Sequence, residues 1–180
     1  MPEYNNQKLL ELARELLPGD SSLAEEVKEA LKEPVVQGIK YEEYWDVTGP
    51  TVIEIEEDNS NFPWTTLLEG LLERGRLVEI PVNETPENIT WELDELLVNR
   101  PEDPDRWNWL RTEGWQNKPL KQFLKEVQHR IIGRNRVLAY IEDEDFESYS
   151  LCLIKAARFG RIEQLVREAG FGKIVKVEDL

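Results

Sequence analysis

The chain has 180 residues, a formal net charge of −15, one cysteine and one histidine. Its apolar content of 40% excludes wholesale disorder, and the single Cys and single His exclude a disulfide framework and a structural zinc site. The strong negative charge disfavours nucleic acid and anionic lipid as partners. The first residues lack a signal peptide's basic start and apolar run, and no window approaches the roughly 18 apolar residues that span a bilayer. We therefore expect a cytoplasmic protein that forms a single domain over residues 1–180, with no membrane contact.

The charge is unevenly distributed along the chain. Residues 1–105 hold 26 acids and 8 bases, a net charge of −18, whereas residues 106–180 hold 11 acids and 14 bases, a net charge of +3. Residues 106–136 alone hold 8 bases and 2 acids. This asymmetry predicts a polarised surface.

Two helices are predicted in residues 1–34. Leucines at helical spacing favour a first helix over residues 3–17, which Pro18 and Gly19 end. Ser22 followed by Glu25 indicates a capping box at the start of the second helix. A tight turn between two helices predicts an αα-hairpin. The aromatic and acidic residues 35–50 that follow fit either a short strand or a covering loop.

Residues 51–82 form the unit around which we expect the rest of the chain to be organised. A β-branched run over residues 51–56 predicts a strand, and Pro63 followed by five apolar residues at helical spacing predicts a helix. Residues 77–80 predict a second strand. The simplest arrangement of such a segment is a right-handed crossover between parallel strands.

The remaining elements follow from caps and apolar periodicity. They are a helix that starts at Thr85 and Pro86 and continues to about residue 98, a possible short helix near 104–112, a helix after Pro119, a β-hairpin of Arg136–Ile141 and Ser148–Ile154 with its turn at Glu142–Asp145, a helix around 158–169 and a strand at Lys173–Val177. Together these elements predict an α/β fold of mixed α+β type. We expect a mixed sheet of about five strands with helices packed on it in residues 51–180, and the helical hairpin at 1–34.

The irregular segment 99–118 contains the most unusual group of side chains. Trp107, Trp109 and Trp115 lie within nine positions, together with Arg111. Tryptophan and arginine are enriched where protein partners bind, so these four residues are the predicted partner-binding site. Two alternatives remain open: a lid of rings that covers the core, and a stacking surface for single-stranded nucleic acid, which the net charge disfavours.

A second set of residues suggests an enzyme. Glu54, Glu56 and Asp58, with Lys155, have the side chains that a metal-dependent hydrolase requires, although their spacing does not demand that they converge. His129 lies on an outward-facing helical row, and Cys152 lies in the middle of an apolar strand, so we expect a solvated imidazole and a buried thiol. We expect no catalytic residue, no cofactor and no bound metal.

The hypothesis that these observations favour is a non-catalytic cytoplasmic protein-binding domain, with a small metal-dependent hydrolase as the alternative. Residues 1–105 would attract a basic protein partner through complementary charge. In general character, as a small acidic α/β chain without a catalytic motif, the protein is similar to uncharacterised bacterial domains, some of which are immunity proteins that neutralise toxins. That resemblance also implies a protein partner.

Overall fold

The computed structural model describes residues 4–33, 37–46, 49–58, 60–97, 103, 105–142 and 148–180, and only the backbone of residues 37–58 within these ranges. The helices are α1 Asn6–Leu16, α2 Ser22–Ala30, α3 Phe62–Glu73, α4 Thr90–Leu96, α5 Asn108–Thr112, α6 Leu120–Val127 and α7 Ala156–Ala169. The strands are β1 Gln37–Asp46, β2 Gly49–Asp58, β3 Leu77–Pro81, β4 Arg136–Glu142, β5 Ser148–Lys155 and β6 Lys173–Lys176. No helix in the described ranges is long and apolar enough to cross a membrane.

The strands form two sheets. Strands β3, β5, β4 and β6 lie side by side in that order, and every neighbouring pair is antiparallel. Strands β1 and β2 pair with each other as a separate antiparallel hairpin. The predicted fold class, helices packed with a sheet in a mixed α+β arrangement, is confirmed. The main sheet has four antiparallel strands where a mixed sheet of about five was expected.

The predicted parallel crossover over residues 51–82 is wrong. β2 pairs with β1, in a register that places Asp46 opposite Gly49, while β3 pairs antiparallel with β5. Only two residues separate β1 from β2, and a short loop brings two strands together at lower entropic cost than a long connection does. The segment 35–50, for which strand and loop were both open, supplies this partner strand.

Both faces of the main sheet are buried. Side chains alternate between the faces of a strand, so Leu77, Ala139 and Cys152 pack with α1, α2, α3 and α7, whereas Val78, Leu138 and Leu151 pack with α4, α5 and α6. Because helices cover both faces, β5 is apolar and buried over most of its length.

The two long connections explain why the helices lie on opposite faces. The chain from β3 to β4 and the chain from β5 to β6 each step over one strand, in the same direction across the sheet. β3 and β5 are antiparallel, so two connections of the same hand must cover opposite faces. A crossover between parallel strands does therefore occur in this chain, with α7 between β5 and β6.

The N-terminal helical hairpin is confirmed, but its cap differs from the predicted one. The Asp20 carboxylate accepts hydrogen bonds from the Ser22 backbone N–H at 2.8 Å and from the Ser22 hydroxyl at 2.5 Å. Ser22 is thus the first helical residue, and the carboxylate performs the capping that was assigned to its hydroxyl. Arg74 of the α3 C-cap donates to Asp20 and Glu26 and thereby joins α2 to α3.

The predicted helix start at Thr85 is also wrong, because α4 begins at Thr90. The Glu84 carboxylate accepts hydrogen bonds from the Thr85 backbone N–H at 2.9 Å and from the Asn88 side chain at 2.8 Å. These local bonds stabilise a turn in place of the first helical turn.

A buried glutamine joins α6 to the sheet. Gln128 is only 5% exposed and lies in a π-helical turn, Gln128–Ile132, that follows α6. Its side-chain NH₂ donates to the carbonyls of Gly133 and Arg136 at 2.8 and 3.0 Å, and its side-chain oxygen accepts from the Leu138 N–H at 2.6 Å. The pairing of β6 with β4 ends at Ala139, so the carboxamide continues the hydrogen bonding of β4 where β6 stops.

We predict that Gln128→Leu lowers the free energy of unfolding by about 2–4 kcal/mol, because it leaves the buried N–H of Leu138 without a partner and removes the bonds to the half-buried carbonyls of Arg136 and Gly133. Urea unfolding measures this as a lower midpoint with an unchanged slope. The matched control is Gln122→Leu on the exposed side of α6, which should change the midpoint little. Equal effects of the two substitutions would contradict the role given to Gln128.

Candidate protein-binding surface

The three tryptophans of the predicted site lie together over the core on the α6 side of the sheet. Trp109 stacks on Phe123 with ring centroids 5.6 Å apart, and Trp107 lies 6.1 Å from the same ring. Trp115 meets Trp109 edge-on at 5.8 Å. Each tryptophan is half-buried, so the rings cover the core as a lid does and also keep part of their surface in solvent.

Trp109 is the centre of the cluster. The Arg130 guanidinium lies over its ring, 4.7 Å from the centroid, a distance typical of a cation–π contact. Two nitrogens of Arg130 each donate to the Glu113 carboxylate at 2.7 Å, and Arg130 also pairs with Glu126. These bonds hold the pKa of Glu113 below its usual value and raise the pKa of Arg130. The two carboxylates therefore hold the planar Arg130 guanidinium over the indole ring of Trp109.

Trp107 and Arg111 bind acidic side chains in and just before α4. The Trp107 Nε1–H donates to Asp94 at 3.0 Å, and Arg106 pairs with the same carboxylate. Arg111, a member of the predicted site, is largely exposed and pairs with Glu87. The structure thus brings the three predicted tryptophans together and places Arg111 at their edge, while the arginine that packs on an indole is Arg130.

Sequence reasoning missed a fourth tryptophan. Trp91 on α4 is 61% exposed, the most exposed large apolar side chain among the described residues. It lies three positions before Asp94, so both side chains are on one side of the helix, the side that binds Trp107. A signal was present, because Trp91 does not belong to the buried α4 stripe of Ile89, Leu93 and Leu97.

We call the side chains of Trp91, Trp107, Trp109, Arg111, Trp115 and Arg130 the tryptophan surface. Its arginines are balanced within the chain, since Arg111 pairs with Glu87 and Arg130 with Glu113 and Glu126. The base-rich segment 106–136 is therefore less positive here than its sequence indicates. A surface of aromatic rings with neutralised cations favours a protein partner over a polyanion.

The three carboxylates proposed for a hydrolase lie outside the described side chains, so that alternative stays a prediction. Glu54, Glu56 and Asp58 belong to β2, and their side chains lie outside the described part, as do residues 143–145 of the acidic turn. His129 is exposed, 3.9 Å from Glu178. Among the described side chains, no group of three or more Asp, Glu, His or Cys is placed to hold a metal ion.

Cys152 is buried in β5, as predicted from its apolar neighbours. Burial raises the pKa of its thiol to about 12. The reactive thiolate is therefore absent at neutral pH, and the residue is unsuited to act as a nucleophile.

Glu92, next to Trp91 in the sequence, has a partly buried carboxylate. Its Oε2 is buried and has no hydrogen-bond partner in the described part of the chain. Burial raises its pKa and outweighs the opposing effect of a backbone hydrogen bond in the first turn of α4. The folded protein therefore disfavours the ionised form, and Glu92 reduces stability at neutral pH.

We predict that Glu92→Gln raises the free energy of unfolding at pH 7 by up to about 1 kcal/mol. The gain should fade as the pH falls below the raised pKa of Glu92, where both side chains are uncharged. Urea unfolding at pH 7 and pH 4 measures the difference. Glu69→Gln on α3 is the control, because Glu69 is exposed and is not among the charges that act on Glu92. A gain that is equal at both pH values would show that ionisation is not its cause.

Comparison with known proteins gives the chain a family. The model of the family described as Domain of unknown function (DUF6630) matches residues 8–176, which include all four strands of the main sheet and the tryptophan surface. Neither the curated proteins nor the solved structures contain a match. Because the family model spans most of its length, the chain belongs to the DUF6630 family.

Proposed function

We propose that this protein is a non-catalytic, cytoplasmic protein-binding protein whose partner docks on the tryptophan surface. The observation that supports this proposal is the exposed ring of Trp91, three positions before the Asp94 carboxylate that binds Trp107, together with three tryptophans that are already held by packing and hydrogen bonds. Exposed tryptophan with neighbouring arginine is the composition of energetic hot spots at interfaces.

Preorganisation makes this surface well suited to binding. Ordering a flexible side chain at an interface costs about 0.5–1.5 kcal/mol, and rings fixed before the partner arrives avoid that cost. Trp107 is held by Asp94, and Trp109 lies between Phe123 and Arg130. A partner would therefore meet a rigid, partly apolar surface.

The charges indicate the class of partner. The tryptophan surface is balanced, whereas the chain as a whole has a net charge of −15. We propose a partner protein with net positive charge, which the acidic chain attracts at long range and which buries an apolar side chain beside Trp91. The general resemblance to bacterial immunity proteins suggests the same class. No described feature favours the hydrolase alternative.

We predict that Trp91→Ala abolishes or strongly weakens partner binding without unfolding the protein, because the Trp91 ring is mostly in solvent. The measurement is partner capture from a lysate of the native host, identification by mass spectrometry, and then the Kd of the purified pair. A hot-spot tryptophan corresponds to a loss of about 30-fold or more. The association rate should also fall as salt is added.

The matched control is Phe62→Ala on α3, because Phe62 is also an exposed aromatic side chain but lies outside the tryptophan surface. A partner that binds Trp91→Ala and Trp107→Ala as tightly as the native chain would place the interface elsewhere. If no partner is recovered at low salt, while Mg²⁺ or Mn²⁺ raises the melting temperature, the hydrolase alternative would replace this proposal.

A further inference from the structure

A cavity of about 240 Å³ lies at the end of the main sheet, away from the predicted site. It exists because β5 is longer than its neighbour: the pairing with β3 ends at Cys152, and β5 continues to Lys155. The end of α1, the turn at Leu17 and Pro18, the end of α3 and the start of α7 surround the space that a longer β3 would fill.

The cavity has an apolar wall and a cationic rim. Leu96 and Leu153 supply half-exposed apolar surface on the α4–α6 face of the sheet, and the alternation of side chains directs Arg136 and Lys155 to that same face. Four bases lie at the cavity, and Glu15 is its only acid among the described residues. The bases are Arg76, Arg136, Lys155 and Arg158. A local excess of three positive charges is unexpected in a chain whose net charge is −15.

One of the four bases is satisfied within the chain. Arg158 donates to the backbone carbonyl of Glu15 at 2.6 Å and pairs with the Glu15 carboxylate. Arg136 and Lys155, in contrast, are directly opposite each other at the end of the β4–β5 ladder. No carboxylate of the described residues lies within 4.0 Å of the nitrogens of either side chain. Like charges at directly opposed positions destabilise a strand pair, so the repulsion between Arg136 and Lys155 weakens the end of the β4–β5 pair.

We propose that this cavity binds a small amphiphilic anion, a carboxylate or phosphate head group on a short apolar body. The head group would lie between Arg136 and Lys155 and convert their repulsion into two charge-assisted contacts. The apolar body would cover Leu96 and Leu153, which lie on the same face of the sheet as these two bases and are half-exposed. The cavity is smaller than the roughly 300 Å³ at which drug-sized sites begin, which limits the body to a short chain or a single ring. This inference is independent of the proposed protein partner.

The test uses four probes with the same eight-carbon body: octanoate, octyl phosphate, 1-octanol and octylammonium. Calorimetry and thermal unfolding of the full chain should show that the anions bind and raise the melting temperature, because a ligand specific for the folded state stabilises it. The neutral and cationic probes should do neither at equal concentration. Comparison of octanoate with octyl phosphate identifies the preferred head group.

Lys155→Glu tests the charge in a way that a purely structural role would not predict. It places opposite charges at the Arg136–Lys155 position and an acid at the N-cap of α7, and both changes should make the free protein melt about 1–4 °C higher. The Kd for the anionic probes should nevertheless weaken at least about tenfold, and this opposition of stability and binding is the result expected. Lys121→Glu, at an exposed base on α6 outside the cavity, should leave anion binding unchanged.

Three results would overturn the proposal. They are equal binding of octanol and octanoate, native affinity of Lys155→Glu for octanoate, and no binding of either anion at millimolar concentration. Backbone amide chemical shifts provide an independent measurement, since bound octanoate should perturb Leu153 and Lys155 and leave the tryptophan surface unchanged.

Discussion

The burial of β5 on both faces is the constraint on which the rest of the fold depends. A strand buried on both faces needs helical cover on each side, and this chain provides it with two connections that step across the sheet in the same direction from antiparallel strands. One face receives α1, α2, α3 and α7, and the other receives α4, α5, α6 and the tryptophan segment. Both candidate sites follow from this arrangement. The tryptophans complete the cover on one face, and the cavity lies where β5 extends beyond β3.

The uneven charge along the sequence has a structural use that composition does not reveal. Acids from the first part of the chain pair with bases from the second: Glu15 and Glu11 of α1 pair with Arg158 and Arg161 of α7, and Asp94 and Glu87 pair with Arg106 and Arg111. Such pairs are mostly exposed, so each adds little to stability, but together they favour one orientation of α1 on α7 and of α5 on α4. They also neutralise several bases of residues 106–180. Arg136 and Lys155, in contrast, have no such acidic partner among the described residues.

Local features of this fold were predictable from the sequence, and strand pairing was not. The 3.6-residue period located α1, α3, α6 and α7, and the alternation on either side of the acidic turn gave the β4–β5 hairpin. These patterns carry no information on which strands are neighbours in a sheet. The sequence therefore led to a pairing of β2 with β3, whereas β2 pairs with β1. Two predicted helix caps were wrong because a nearby carboxylate, that of Asp20 or Glu84, accepts the hydrogen bond of a backbone N–H in that region. For the candidate site, composition located Trp107, Trp109 and Trp115, but Arg130 reaches Trp109 from another element, a proximity that only the fold creates. The high exposure of Trp91 on α4 also became evident only in the fold.

Some side chains of the tryptophan surface contribute mainly to the free energy of folding, whereas others can contribute mainly to the free energy of binding. Trp107 and Trp109 pack against Phe123, so most of their contribution belongs to folding, and the buried Nε1 of Trp109, which has no partner in the described structure, reduces that contribution. Removing these rings would disturb the core and any interface at once. Trp91 contributes little to the core, because most of its ring remains in solvent. An exposed indole gains little stability for the free chain, whereas burial of about 150–250 Å² of aromatic surface against a partner would be a substantial gain. The energetic separation between Trp91 and its neighbours is therefore the strongest physical reason to propose a partner.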